Sequence, residues 1–164
     1  PNPKAIYCPM TLSIPPTFEF WGRSIGRACQ DIDRLRELAA TSTGAKVGDG
    51  GNLWLPVIWT ARGPIYGEVI GEIDRDNYQQ PIHLDDIDRQ PLYQFGYQLL
   101  TQLTAPPATY LVQFSQAETG IIFDRLFPFP AIPALASIGV QHPDLFDCHW
   151  RCITQQSIVN VYAK

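Results

Sequence analysis

Charge is scarce in this 164-residue chain: 17% of residues are charged and the formal net charge is −4, against roughly 25% charged in ordinary soluble domains. An acidic, weakly charged surface offers phosphate no overall attraction, so a nucleic-acid partner is not expected. Cysteine is sparse too. Four residues, Cys8, Cys29, Cys148 and Cys152, are too few and too scattered for a disulfide framework. The opening PNPKAIYCP lacks a basic segment followed by an apolar stretch and a small-residue cleavage site, so the expectation is reduced thiols in a cytoplasmic protein. Long hydrophobic runs are also missing. The longest uncharged apolar stretch, 126–140, falls short of about 18 residues and is broken by Pro128, Pro130 and Pro133, so no transmembrane segment is expected.

What the chain does have is apolar and aromatic bulk, 45% hydrophobic and 12% aromatic, enough for one core at this length. A single domain over 1–164 is the expectation. Residues 1–16 carry five prolines and read as an extended arm lying on a neighbouring surface or sheet edge. From Phe18 to Ala40 the apolar positions Trp21, Ile25, Ala28, Cys29, Ile32, Leu35 and Ala39 recur at helical spacing behind a Thr17 cap, and Arg23, Arg27, Asp31, Arg34 and Glu37 form the solvated face. The stretch 41–52, TSTGAKVGDGGN, then stops the helix and reads as a flexible loop.

Beyond it the period becomes two. LWLPVIWT and IYGEVIGEI predict two strands around a turn at 61–64, with Pro56 placing the first at an edge or a bulge. PIHL adds a short strand. Asp85, Asp86 and Asp88 ahead of Pro91 predict a helix start, continued by Leu92, Phe95, Gly96, Leu99 and Leu103. TYLVQF and GIIFDRLF predict a second hairpin, and CHWRCIT and SIVNVYA further strands. Strands in consecutive hairpins, interrupted by two helices, predict an α+β two-layer sandwich: a largely antiparallel sheet of about five to six strands packed by two main helices.

Candidate chemistry is weak. In CHWRCIT read as a strand, Cys148, Trp150 and Cys152 share one face and His149 the other, so neither a convergent zinc set with His142 nor a Cys–His pair is expected. Glycines 44, 48, 50 and 51 with Lys46 fit no phosphate-loop spacing. Glu68, Glu72, Asp74 and Asp76 read as a solvated strand edge, and no metal or cofactor is expected. Trp54, Trp59, Tyr66 and Tyr78 lie on an acidic hairpin, which opposes base stacking.

The order TYLVQF, GIIFDRLFPFP, AIPALASIGVQHPDLF resembles the closing segment of ATP-grasp ligases, over less than a third of the chain. The resemblance implies an acid-bearing strand, a Glu-x-Asn strand end, a proline loop and a helix. Here Gln113 stands where an acid belongs, Asp124 replaces the Glu, and Leu126 stands at the metal-binding Asn. It therefore implies a degenerate module.

Two functional readings follow. The near-uncharged run 121–146 holds four prolines, and its rigid aromatic middle suits a non-catalytic protein-binding or assembly role, chaperone-like or as a homodimer, through Phe127, Phe129, Pro130 and Ile132. The alternative is a ligand-binding or enzymatic domain, an ATP-grasp-like module among the options, with a pocket between the sheet and the Pro128 to Pro143 segment and Asp124, Arg125 and His142 at its mouth.

Overall fold

The computed structural model describes residues 5–118 and 120–163. Its centre is a sheet of seven strands in the order β1-β7-β6-β2-β4-β5, with β3 also paired to β2. The strands are β1 (Lys46–Val47), β2 (Leu53–Thr60), β3 (Gly63–Tyr66), β4 (Val69–Asp74), β5 (Asn77–Ile82), β6 (Ala108–Ala117) and β7 (Gly120–Phe127). A two-stranded ribbon, β8 (Gln141–His142) with β9 (Tyr162–Ala163), lies apart from it. The chain is α+β as expected, but the sheet is mixed: β1 runs parallel to β7, whereas the remaining pairs are antiparallel.

The predicted two layers are three. Alternate side chains of the central strands point to opposite faces, and both faces are covered. Leu55, Val57, Tyr110, Val112, Phe114 and Phe123 pack with residues of α1 (Arg23–Gln30), α2 (Ile32–Thr43) and α3 (Asp86–Gln102). On the other face Trp54, Ile58, Ile70 and Leu111 pack with Ala134, Leu145, Cys148 and Cys152. The last three belong to α4 (Leu145–Ile153), and Ala134 to a short 3-10 helix, Ile132–Ser137.

The second cover is where sequence and structure part. CHWRCIT lies in α4 and its exit, not in a strand, because Asp144 accepts the Phe146 and Asp147 amide N–H groups, both at 2.9 Å, and so caps a helix start. Cys148, His149 and Cys152 then share a buried side while Trp150 stays half exposed. The single helix expected over 18–40 is two. Asp31 leaves the helical region (φ −90°, ψ 82°) and its side chain accepts from the Arg34 amide, ending α1 and starting α2.

Pro56 is not at an edge. Its strand is central, but the partner edge is interrupted there: β3 pairs with Val57 to Thr60 and β4 with Leu53 and Trp54. Gly67, in the link, donates its N–H to the Pro56 carbonyl at 2.9 Å. The missing proline N–H faces that same edge, at the break, so no ladder bond is lost. Pro91 sits in the second turn of α3, which begins at Asp86, rather than in the first. In the arm, residues 1–4 lie outside the described residues. The remainder packs on α1 instead of a sheet edge: Arg27 donates to the Pro16 carbonyl at 3.1 Å, Gln30 donates to the Leu12 carbonyl, and Tyr7 meets Phe18 edge-on at 5.4 Å.

Candidate functional site

The stretch 41–52 borders the site and carries regular structure at both ends of its first half. Thr41 to Thr43 complete α2, Gly44 ends it in the left-handed region (φ 72°), and Lys46–Val47 form β1 against β7. Gly48 donates to the Phe123 carbonyl at 3.0 Å, and Gly51 is held on both sides. Its N–H donates to Asp124 Oδ2 at 2.9 Å, while its carbonyl accepts from Gln113 Nε2. A Cβ at Gly51 would sit 3.0 Å from Gln113 Cγ and from the Phe114 backbone. A side chain there would push these neighbours back by a few tenths of an ångström, so the close approach favours glycine.

Asp124 is 2% exposed, a carboxylate almost shut off from solvent. Its compensation comes from α2. Arg36 Nη2 donates to Asp124 Oδ1 at 2.6 Å and Nε donates to the Asp124 carbonyl at 2.9 Å, while Nη2 also reaches the exposed Asp49 at 2.7 Å. Arg125 Nε lies 3.3 Å from the same Oδ1. Burial alone would raise the Asp124 pKa; the Gly51 amide and the Arg36 and Arg125 guanidiniums outweigh it and hold the carboxyl below its ordinary value. Both carboxylate oxygens are thus engaged within the protein.

The resemblance to ATP-grasp ligases implies a bound metal at this end of β7. Gln113 turns its amide to the Gly51 carbonyl, Asp124 is neutralised by two arginines, and Leu126 is fully buried in the core. Gln113 and Arg125 are cross-strand partners, so a guanidinium stands beside the position where a cation would need an acid. The residues present do not fit a divalent ion. No group of three or more His, Cys, Asp or Glu able to hold a metal occurs among the described residues.

The other expected site residues are dispersed. Phe129, 5% exposed, and Pro130 are buried; Phe127 is half-buried against the α4-side core and meets Phe129 edge-on at 6.1 Å. Ile132 alone of the four is exposed, at 64%, and it begins the 3-10 helix where Leu135 and Ile138 are exposed as well. Asp124 and Arg125 meet on β7, whereas His142 belongs to the β8–β9 ribbon, where its ring lies 5.8 Å from Tyr162. No hydrogen bond or ion pair among the described residues joins His142 to Asp124 or Arg125. A cavity of about 70 Å³ does lie beside the 128–143 segment, but Tyr66, Glu68, Gln80, Gln141 and Tyr162 line it instead.

Arg36 and Gln80 went unread in the sequence. Arg36 falls off the solvated stripe of α2 and carried no motif. A glycine at 51 preceding a strand was the visible signal, without its partner.

No family model matches this chain, and no curated protein matches it. Solved structures do. Glycinamide-RNase-transformylase T from Mycobacterium tuberculosis matches with a TM-score of 0.72 at 17% identity, over 82% of this chain and 51% of that one. N5-carboxyaminoimidazole synthetase from Staphylococcus aureus, complexed with ADP, matches with a TM-score of 0.60 at 16% identity, over 71% and 33%. The N5-carboxyaminoimidazole ribonucleotide synthetase from Thermotoga maritima gives 0.58 at 14%, over 70% and 31%. The chain shares their fold. It spans about half the length of the first and about a third of the other two. Nothing among these neighbours is a chaperone, and that expectation finds no support.

Proposed function

We propose that this chain is a degenerate ATP-grasp-like module that binds a ligand and performs no metal-dependent nucleotide chemistry. The observation that carries it is the fate of Asp124. The acid nearest the metal-binding position of the resembling family is closed by Arg36, Arg125 and the Gly51 amide, and so ties α2, the glycine stretch and β7 together. A buried, fully paired carboxylate is a poor metal ligand, because a cation must first displace a guanidinium already in contact. Binding remains open to the module through the cavity beside the 128–143 segment. Calorimetric titration of the purified chain with ATP, with and without Mg²⁺, tests the reading. The expected heat is the same with and without metal; a saturable Mg²⁺-dependent heat that Asp124→Asn removes would overturn it.

One observation favours a second reading. Ile132 and Leu135 lie one turn apart on the 3-10 helix, which stacks them in one ridge, Ile138 follows at its C-terminal cap, and all three are more than half exposed. Such a ridge supports protein binding on this face. Ile132→Asp with Leu135→Asp should abolish self-association or partner capture without lowering the unfolding midpoint; a lowered midpoint would assign the ridge to the fold.

A further inference from the structure

The ladder between β6 and β7 begins at Leu111, so Thr109 lies beyond its end, and α4 supplies the partner there. His149, in the second turn of that helix, takes the Thr109 N–H on Nδ1 at 3.1 Å. A ring nitrogen that accepts carries no proton, and burial holds the ring neutral, so the proton sits on Nε2. His149 is 5% exposed. Even so, Nε2 has no hydrogen-bond partner among the described residues and is not one of the side-chain atoms sealed from solvent without one. Its N–H therefore opens onto free space. Buried donors are seldom left so.

That space is a second cavity, of about 30 Å³, which His149 lines with Phe20, Ile25, Pro128, Phe129 and Ile153. One water needs about 10–15 Å³ by the same measure, so a group of a few heavy atoms has room. No Asp, Glu, Lys or Arg side chain lines the cavity. An ion entering it would lose its hydration with no opposite charge in return. The Tyr110 hydroxyl, also at the wall, already donates to the Pro106 carbonyl at 2.6 Å. A buried free N–H among apolar walls calls for an acceptor carried by an uncharged, largely apolar molecule. We propose that this cavity binds a small uncharged carbonyl compound, a ketone or an amide, with its oxygen on the His149 Nε2–H and its substituents against Phe20, Phe129 and Ile153. The inference goes beyond the reading of Asp124. The two fail separately, because a metal-dependent ATP heat would leave this cavity untouched.

The test is titration of the protein, ¹⁵N-labelled in its histidine rings, with three molecules of one shape. These are acetone, isobutene, in which a CH₂ replaces the oxygen, and acetate, in which an O⁻ replaces a methyl group. Long-range ¹H–¹⁵N spectra at neutral pH follow the His149 ring. A saturable downfield displacement of the Nε2 proton is expected with acetone, and none with isobutene, which has no acceptor, or with acetate, which has charge. His149→Phe keeps a ring and removes the N–H, so it should weaken acetone binding about ten-fold, the scale of one hydrogen bond, and leave isobutene binding no weaker. Should that variant not fold, because the Thr109 N–H loses its acceptor, the comparison of the three molecules on the wild-type ring decides alone. A spectrum with the ring proton on Nδ1 would overturn the proposal before any titration. An equal displacement by isobutene or acetate, acetone binding unchanged in folded His149→Phe, or no saturable displacement at tens of millimolar acetone would overturn it too and leave the cavity to ordered water.

Discussion

Replacing Arg36 by methionine keeps most of the aliphatic stem and removes the guanidinium that faces Asp124. Leaving one member of a buried ion pair without its partner costs about 3–5 kcal/mol. Asp124, at 2% exposure, is the buried member, and it retains the Gly51 N–H at 2.9 Å and Arg125 at 3.3 Å. Those two remaining partners put the expected loss at the lower end, about 3 kcal/mol. The Asp49 contact adds little, because that side chain is 85% exposed. In a chain of this size about 1 kcal/mol moves the midpoint by roughly 2–4 °C, so Arg36→Met should unfold about 6–12 °C below wild type by calorimetry. Asp49→Asn, the surface control, should shift it by less than about 2 °C. A pH series sharpens the test. The folded Asp124 pKa lies below its ordinary 3.8, so its stabilisation is present above that value and is lost as pH falls through the lower folded value. The stability gap between wild type and Asp124→Asn is then full at neutral pH and closes below about pH 4. An Arg36→Met midpoint within 2 °C of wild type, or a gap that does not change with pH, would refute the stabilising role given to the Arg36–Asp124 pair.

Two other groups give independent outcomes. His149 is 5% exposed, and the Thr109 N–H donates to its Nδ1 at 3.1 Å, so that nitrogen accepts and the ring is neutral; burial lowers its pKa from 6.5 to about 4. A depressed folded value means stability present above the unfolded pKa and lost as pH falls from about 6.5 towards 4, so urea midpoints of His149→Gln should decline less than wild type across that window, His83 and His142 being common to both. The thiols of Cys29 and Cys148, pushed up to about 12, and Cys152, to about 11, are buried, whereas Cys8 is partly exposed. A thiol-exchange reagent at pH 8 should therefore modify Cys8 first in the native protein and the other three only on unfolding; fast native modification of Cys148 would contradict the buried face of α4.

The β6–β7 hairpin and α3 were legible for different reasons: Leu92, Phe95 and Leu99 recur at helical spacing and cannot fit a strand, while TYLVQF and GIIFDRLF are two runs rich in β-branched and aromatic residues separated by a short polar link. The second cover of the sheet was not. Cys148, Trp150 and Cys152 satisfy a period of two as well as Cys148 and Cys152 satisfy a helical turn, and only the Asp144 cap breaks the tie. Taken as a strand, the stretch leaves the second face of the sheet uncovered; as α4 it supplies the third layer. The site was legible in half. Asp124 stood out as one of few charges in an apolar run, but its partner Arg36 lies 88 residues away, and no local pattern encodes a contact at that separation. Gln80 was hidden for another reason, since its role depends on a bulge and on a ribbon formed by residues 141–142 and 162–163.

Manganese broadening tests the central claim most directly. Mn²⁺ titrated into the ¹⁵N-labelled chain relaxes amide signals near any site it occupies, and the Gly51, Asp124 and Arg125 amides report on the carboxylate itself. These three signals should persist while those of exposed acidic segments such as 72–76 fade weakly and without saturation. Saturable loss of the Gly51 and Asp124 signals, reversed by Mg²⁺ and absent in Asp124→Asn, would contradict it and restore a metal site to this fold.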